Sequence, residues 1–223
     1  MTTGWRLASL VAGFGLALAV IGLPLRLMLL PAYTRTLVVW VDAPARADLD
    51  VEQARALAEG VRAFVADEPG ATLPASLADG RPAFDESATS HLDDVRVVLA
   101  AARTVTLLVT GAAIVWVVVV LQLRRRRELA LSLHAGALFV VALAALAAVI
   151  ALADFDRFFA GFHALFFEKG TWQFPADALL IRLFPEPFWV ASGGIWGALS
   201  LAGAALLALC GRRTRPHPEG ERE

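Results

Sequence analysis

The chain predicts an all-α membrane protein: four transmembrane helices, a small mixed extracytoplasmic cap and an interfacial Phe-rich helix. Three observations carry this prediction. Apolar residues make up 58% of the 223 and charged residues only 18%, and the mean hydropathy is +0.63. That composition is remote from a water-soluble domain. The apolar residues also gather into four blocks, Trp5 to Leu30, Val97 to Leu123, Leu129 to Ala153 and Phe188 to Leu209. Each is near or above the ~20 residues that cross about 30 Å of hydrocarbon. Finally, the charges divide by side. Arg6, Arg124 to Arg127, Arg212, Arg213, Arg215 and Arg222 face only four glutamates, whereas segments 31–96 and 154–187 carry nine basic residues against seventeen acids. Arginine excess in short loops marks the cytoplasmic side. Both termini and the tail 211–223 are therefore expected inside, with segments 31–96 and 154–187 outside, and the whole chain 1–223 reads as one membrane domain.

The first block is longer than the 7 to 15 residues of a signal h-region and ends well before the small residues Ala43, Ala45 and Ala47, so an uncleaved helix is expected. The first outer segment opens with Thr34 to Val41, whose β-branched and aromatic content predicts a short strand. A helix should follow. Val51, Ala54, Ala58, Val61 and Val65 recur at helical spacing, Asp50 and Gln53 are placed as a capping box, and Pro69-Gly70 ends the run. Asp79-Gly80 marks a turn, as in a hairpin. From Asp85 to Leu123 no breaker intervenes, which predicts one helix rising out of the membrane. His91, six residues before Val97, should stand about 9 Å above the apolar boundary at a rise of ~1.5 Å per residue.

The second outer segment holds nine of the thirteen phenylalanines, from Phe155 to Phe188, together with Trp172. Phe155, Phe158, Phe159, Phe162, Phe166 and Phe167 recur every three or four residues, as on one face of a helix in the bilayer interface.

Four histidines are present: His91, His134, His163 and His217. His217 falls in a Pro- and charge-rich tail, and His134 lies inside the cytoplasmic end of the third span. His91 and His163 are both outside and near the same membrane surface, which makes them candidates for a shared site. A solitary interfacial histidine needs no such role, because the capacity to titrate does not assign a task. There is no G-x-S-x-G, H-E-x-x-H, Walker sequence or C-x-x-C. The single Cys210 reads as a small apolar filler.

Ser90-His91-Leu92-Asp93-Asp94-Val95, Phe162-His163-Ala164-Leu165-Phe166-Phe167, Trp172, Asp177-Ala178-Leu179-Leu180-Ile181 and Leu183-Phe184-Pro185-Glu186-Pro187-Phe188-Trp189 together resemble the bacterial lipoprotein intramolecular transacylase family. The resemblance implies an enzyme of the bacterial cell membrane that moves the sn-2 acyl chain of a diacylated lipoprotein onto the α-amine of its N-terminal cysteine, giving the lyso form. The family's two essential outer histidines map onto His91 and His163. Many relatives have an Asn-Asp pair where this chain has Glu168 to Thr171.

Such a reaction needs no protein nucleophile, because the substrate amine attacks an ester tethered to the same cysteine and effective molarities of ~10⁵ to 10⁸ M are attainable. An α-amine with a reference pKa of ~7.7 to 8.0 can yield its proton to an imidazole of ~6.5. His163 is assigned as the base and His91 as the acid or oxyanion partner, and the opposite assignment is also open. Asp94, three residues after His91, shares its helix face. Arg26 and Arg103 are charges within apolar blocks. With Trp172 these form the candidate substrate-binding set. Snorkelling to lipid phosphates is the alternative for both arginines, favoured for Arg26. No metal, cofactor or nucleic-acid partner is expected; the partners are diacylated lipoproteins and membrane lipids, with oligomeric state open. Two other classes compete. One is a metal-dependent lipid hydrolase using His91, His163 and Asp94 or Asp177, and the other is a non-catalytic lipid-binding or pH-sensing subunit.

Overall fold

A computed structural model describes residues 2–214. His217 and the end of the tail lie outside the described residues. The elements are α1 (Thr3–Met28), α2 (Pro31–Trp40), α3 (Ala43–Ala47), α4 (Val51–Val65), α5 (Glu86–Gln122), α6 (Arg126–Ala153), α7 (Phe155–Phe166), α8 (Leu179–Leu183) and α9 (Glu186–Arg213). Helices α1, α5, α6 and α9 are long and apolar enough to cross a membrane. The protein is thus a multi-pass, all-helical membrane protein. The chain divides into two compact units.

One unit comprises the described residues up to Pro24, Thr104–Val149 and those from Trp196 onward. Here lipid-facing side chains such as Leu108 and Val149 point outward, so close packing rather than water exclusion holds the helices together. Small residues permit it. A Cβ on Gly13 would meet the Cβ of Ala135 at 2.8 Å and the carbonyl of Ser132 at 2.9 Å. Ala17, Ala137, Val140 and Ala204 form the adjoining core. Two polar side chains pair across helices: Trp116 Nε1 donates to Ser132 Oγ at 2.9 Å, and Ser132 Oγ donates to the Glu128 carbonyl at 2.9 Å. At the four-arginine turn, Arg125 pairs with Glu128 at 3.0 Å and lies 3.9 Å over the Trp5 ring. His134 Nδ1 is 2.7 Å from the Ala130 carbonyl, and Cys210 is exposed on α9.

The other unit comprises Leu25–Arg103 and Ile150–Ile195. Its core is built from Leu37, Val38 and Val41, from Ala54, Leu57, Ala58, Val61 and Val65, and from Leu92, Leu180, Leu183 and Phe188. The strand expected at Thr34 to Val41 is instead α2. Pro31 sits at the first helical turn, where its fixed φ suits a helix start. The buried residues Thr34, Leu37, Val38 and Val41 recur at i, i+3, i+4 and i+7, so burial against α4 outweighs β-branched composition. No strand occurs among the described residues; an isolated antiparallel bridge joins Ser76 and Pro82. This unit is therefore helical rather than mixed. Around that bridge Leu77 N donates to the Arg81 carbonyl at 2.8 Å, and Gly80 turns with φ +84°, which leaves a vestigial hairpin at Asp79-Gly80.

Helix α4 starts on the expected capping box. Gln53 N donates to Asp50 Oδ1 at 2.8 Å, and Asp50 N donates to Gln53 Oε1 at 3.3 Å. Arg62, only 4% exposed, is the unit's buried cation. It is neutralised by Glu59 and Glu68, both at 2.7 Å, and donates to the Leu29 carbonyl at 2.9 Å, which ties the end of α1 to α4. The small residues Ala43 and Ala47 contribute to the core, both being buried in α3. Helix α5 runs unbroken over 37 residues, as the absence of breakers predicts.

Candidate active site

Two helices of the second unit present the site's imidazoles. His91 lies early in α5, six residues ahead of the apolar span, and the burial of neighbouring Ala88 and Leu92 turns this face of the helix into the core. His163 lies in the last turn of α7, which Asp154 caps by accepting from Arg157 N at 2.9 Å. After Phe166 the helix stops, Phe167 becomes extended with φ −127°, and Gly170 adopts φ +93°. That left-handed residue lets the chain reverse, bringing Trp172 to 4.8 Å from the His163 ring.

The two imidazoles are stacked at 28° with centroids 6.1 Å apart. Aromatic rings enclose them. Phe167 is 4.9 Å from His91 and 5.6 Å from His163, Phe174 is 5.5 Å from His91, and Phe159 is 4.0 Å from His163. His91 is only 8% exposed. Phe167, which its spacing assigns to the membrane stripe of α7, has left the helix and lies beside both histidines. Phe174 was not singled out by sequence reasoning; only the high Phe density of the segment hinted at an enclosure.

The ring nitrogens are not equivalent. His163 Nδ1 is 2.8 Å from the Phe159 carbonyl, and a carbonyl only accepts, so Nδ1 carries the proton and Nε2 keeps a free lone pair. His91 Nδ1 is buried without a hydrogen-bond partner, as is Trp172 Nε1. Burial holds His163 below the ordinary imidazole value, against the opposing effect of the Phe159 carbonyl. His91 is pushed down to about 4 by burial and by the neighbouring His163, against the opposing charge of Asp94. Both rings are therefore neutral at neutral pH.

The remaining candidates are dispersed. Asp94 is exposed and does not hydrogen-bond the His91 ring, whose Nδ1 has no partner. Arg26 is exposed on α1, and Arg103, also exposed, makes a long 3.4 Å contact with the Ala66 carbonyl. Among the described residues no set of three His, Cys, Asp or Glu side chains is placed to hold a metal ion.

A neutral pair of imidazoles in an aromatic enclosure, on a four-span helical protein, suits acid–base chemistry at a lipid surface. The sequence profile of the family "Lipoprotein intramolecular transacylase Lit" matches residues 13–189, the stretch that contains both rings. The chain belongs to this family. As a Lit family member it is an acyltransferase, a lipoprotein intramolecular transacylase, and its substrates are lipoproteins. The solved in meso structure of the membrane integral lipoprotein intramolecular transacylase Lit from Bacillus cereus superposes with a TM-score of 0.79 at 18% identity, over 96% of this chain and 97% of that one. Two variants of the Bacillus cereus protein, with one histidine replaced by arginine or by alanine, superpose with TM-scores of 0.74 at 17% identity. They cover 94% of this chain and 91% and 92% of their own. At such identities the likeness shows a shared Lit fold. No curated protein matches the chain by sequence.

Proposed function

We propose that this Lit family member moves the sn-2 acyl chain of an S-diacylglyceryl cysteine onto that cysteine's own α-amine, with His163 as base and His91 as hydrogen-bond donor to the oxyanion. The 6.1 Å pairing of the two rings carries the reading. The unit that holds them faces the extracytoplasmic side, α7 lies in the bilayer interface, and both termini are cytoplasmic. This arrangement leaves acyl chains in lipid and the polypeptide in water. Arg26, Arg103, Asp94 and Trp172 remain the proposed substrate contacts.

The tautomer of His163 supports its role. With Nδ1–H engaged by the Phe159 carbonyl, Nε2 is the nitrogen able to take a proton, and the contact orients the ring for it. The neutral substrate amine attacks the sn-2 ester carbonyl, a C–N bond forms and the carbonyl oxygen becomes anionic. His163 Nε2 takes a proton from the attacking nitrogen. The tetrahedral centre then collapses, the bond to the sn-2 glycerol oxygen breaks, and that oxygen receives the proton from His163. The products are an amide and a free hydroxyl, and His163 ends neutral. His91, kept neutral by burial, serves as an N–H donor to the oxyanion rather than as a proton carrier.

Mass spectrometry of N-terminal lipopeptides from cells with and without the protein tests the proposal. Transfer relocates an acyl group to nitrogen without changing total mass, and fragment ions reveal the relocation. A loss of fatty acid would indicate hydrolysis, and an unchanged lipopeptide would indicate a non-catalytic role.

A further inference from the structure

Six side-chain polar atoms are buried without a hydrogen-bond partner among the described residues, and two of them belong to rings of the site: His91 Nδ1 and Trp172 Nε1. More than nine in ten buried polar groups are normally satisfied, so such exceptions call for a physical reason. An indole N–H can only donate. Trp172 is tilted 31° against His163 with 4.8 Å between centroids, so its ring flanks the imidazole from which the acid–base step proceeds. The fold brings it there through the left-handed Gly170, and a phenylalanine would supply the same stacking surface without an unpartnered donor.

We infer that Trp172 is a further catalytic residue: its Nε1–H donates to the sn-2 ester carbonyl oxygen as that oxygen becomes anionic. The inference rests on the transacylase reading above and adds to it a second oxyanion donor beside His91. The anion that forms on amine attack is a strong acceptor, whereas the ground-state carbonyl is a weak one. The interaction therefore strengthens on the way to the transition state. Water excluded by Phe159, Phe167 and Phe174 cannot compete for the donor. Together the indole and His91 give the oxyanion two neutral donors while His163 moves the proton, so the two tasks fall to different residues.

The test uses purified full-length protein, a synthetic diacylated lipopeptide and two replacements of Trp172. One is Trp172→Phe; the other is an incorporated benzothienylalanine, which keeps the bicyclic shape and replaces N–H by sulfur. Loss of one oxyanion donor should lower kcat by about 10²-fold in both. KM should stay within about threefold, because the donor acts mainly in the transition state. The pH midpoint governed by His163 should not move. Retention of kcat within about threefold of the parent by the benzothienyl protein would overturn the inference, whatever Trp172→Phe does to folding. A parent protein that forms no N-acyl product would instead overturn the transacylase reading itself.

Discussion

His91 Nδ1 is left without a partner although Asp94 lies one helical turn away, while His163 Nδ1 is held at 2.8 Å by the Phe159 carbonyl. One imidazole is locked in its tautomer and the other awaits a partner that the free protein does not supply. In the proposed mechanism this asymmetry separates a proton-transferring ring from a hydrogen-bonding one.

Replacing His163 by Asn or Gln removes the free Nε2 base, and N-acyl product formation should fall by about 10² to 10⁴-fold. Replacing His91 by Ala should cost about 10² to 10³-fold, the range for a lost oxyanion donor. Single-turnover assays on the lipopeptide check both. Normal turnover by either variant would remove that residue from the mechanism.

Burial lowers the pKa of both rings, so the folded site favours neutral imidazole. The unfolded chain titrates near 6.5. Stability should therefore be fully present above about 6.5 and be lost as pH falls from there through the lowered folded values. Detergent melting curves between pH 7 and pH 4 should show this loss in the parent and a smaller one in His91→Phe. The enzyme-controlled acid limb of the rate profile should likewise lie below about 6.5, apart from the limb near 8 set by the substrate amine.

Phe167 touches both imidazoles, at 4.9 and 5.6 Å. Phe167→Ala should open the enclosure to water, which can replace the amine as nucleophile. Free fatty acid and a lyso-lipopeptide with an unmodified amine should then appear beside the N-acyl product. Chromatographic quantification of the two products gives the partition; an unchanged ratio would mean that Phe167 does not exclude water.

Arg62→Met should leave Glu59 and Glu68 without their buried cation. Removing one partner of a buried pair costs about 3 to 5 kcal/mol. Here Glu68 is 48% exposed, so about 2 kcal/mol is expected. Thermal unfolding in detergent should register a lower Tm, with activity per folded molecule near that of the parent.

Much of this was legible in the chain. The apolar blocks announced four spans because their length relative to the bilayer is a one-dimensional property, and the unbroken run after Asp85 announced α5. The Asp50–Gln53 capping box was readable because its two hydrogen bonds join residues three apart. The motif around His91 and His163 pointed to the family, and the local spacing of each histidine suggested which surface it occupies.

Other features arise from contacts between distant segments. Thr34 to Val41 has strand-like composition, yet burial of Leu37, Val38 and Val41 against α4 makes it a helix, because packing energy exceeds the small intrinsic differences among backbone states. The stacking of His91 on His163, the departure of Phe167 from α7 and the return of Trp172 over the imidazole depend on where the chain turns and on what fills the space between α5 and α7. Residue type and spacing along the chain specify local hydrogen bonds and the total apolar length; three-dimensional burial decides which of two neutral imidazoles keeps a partner.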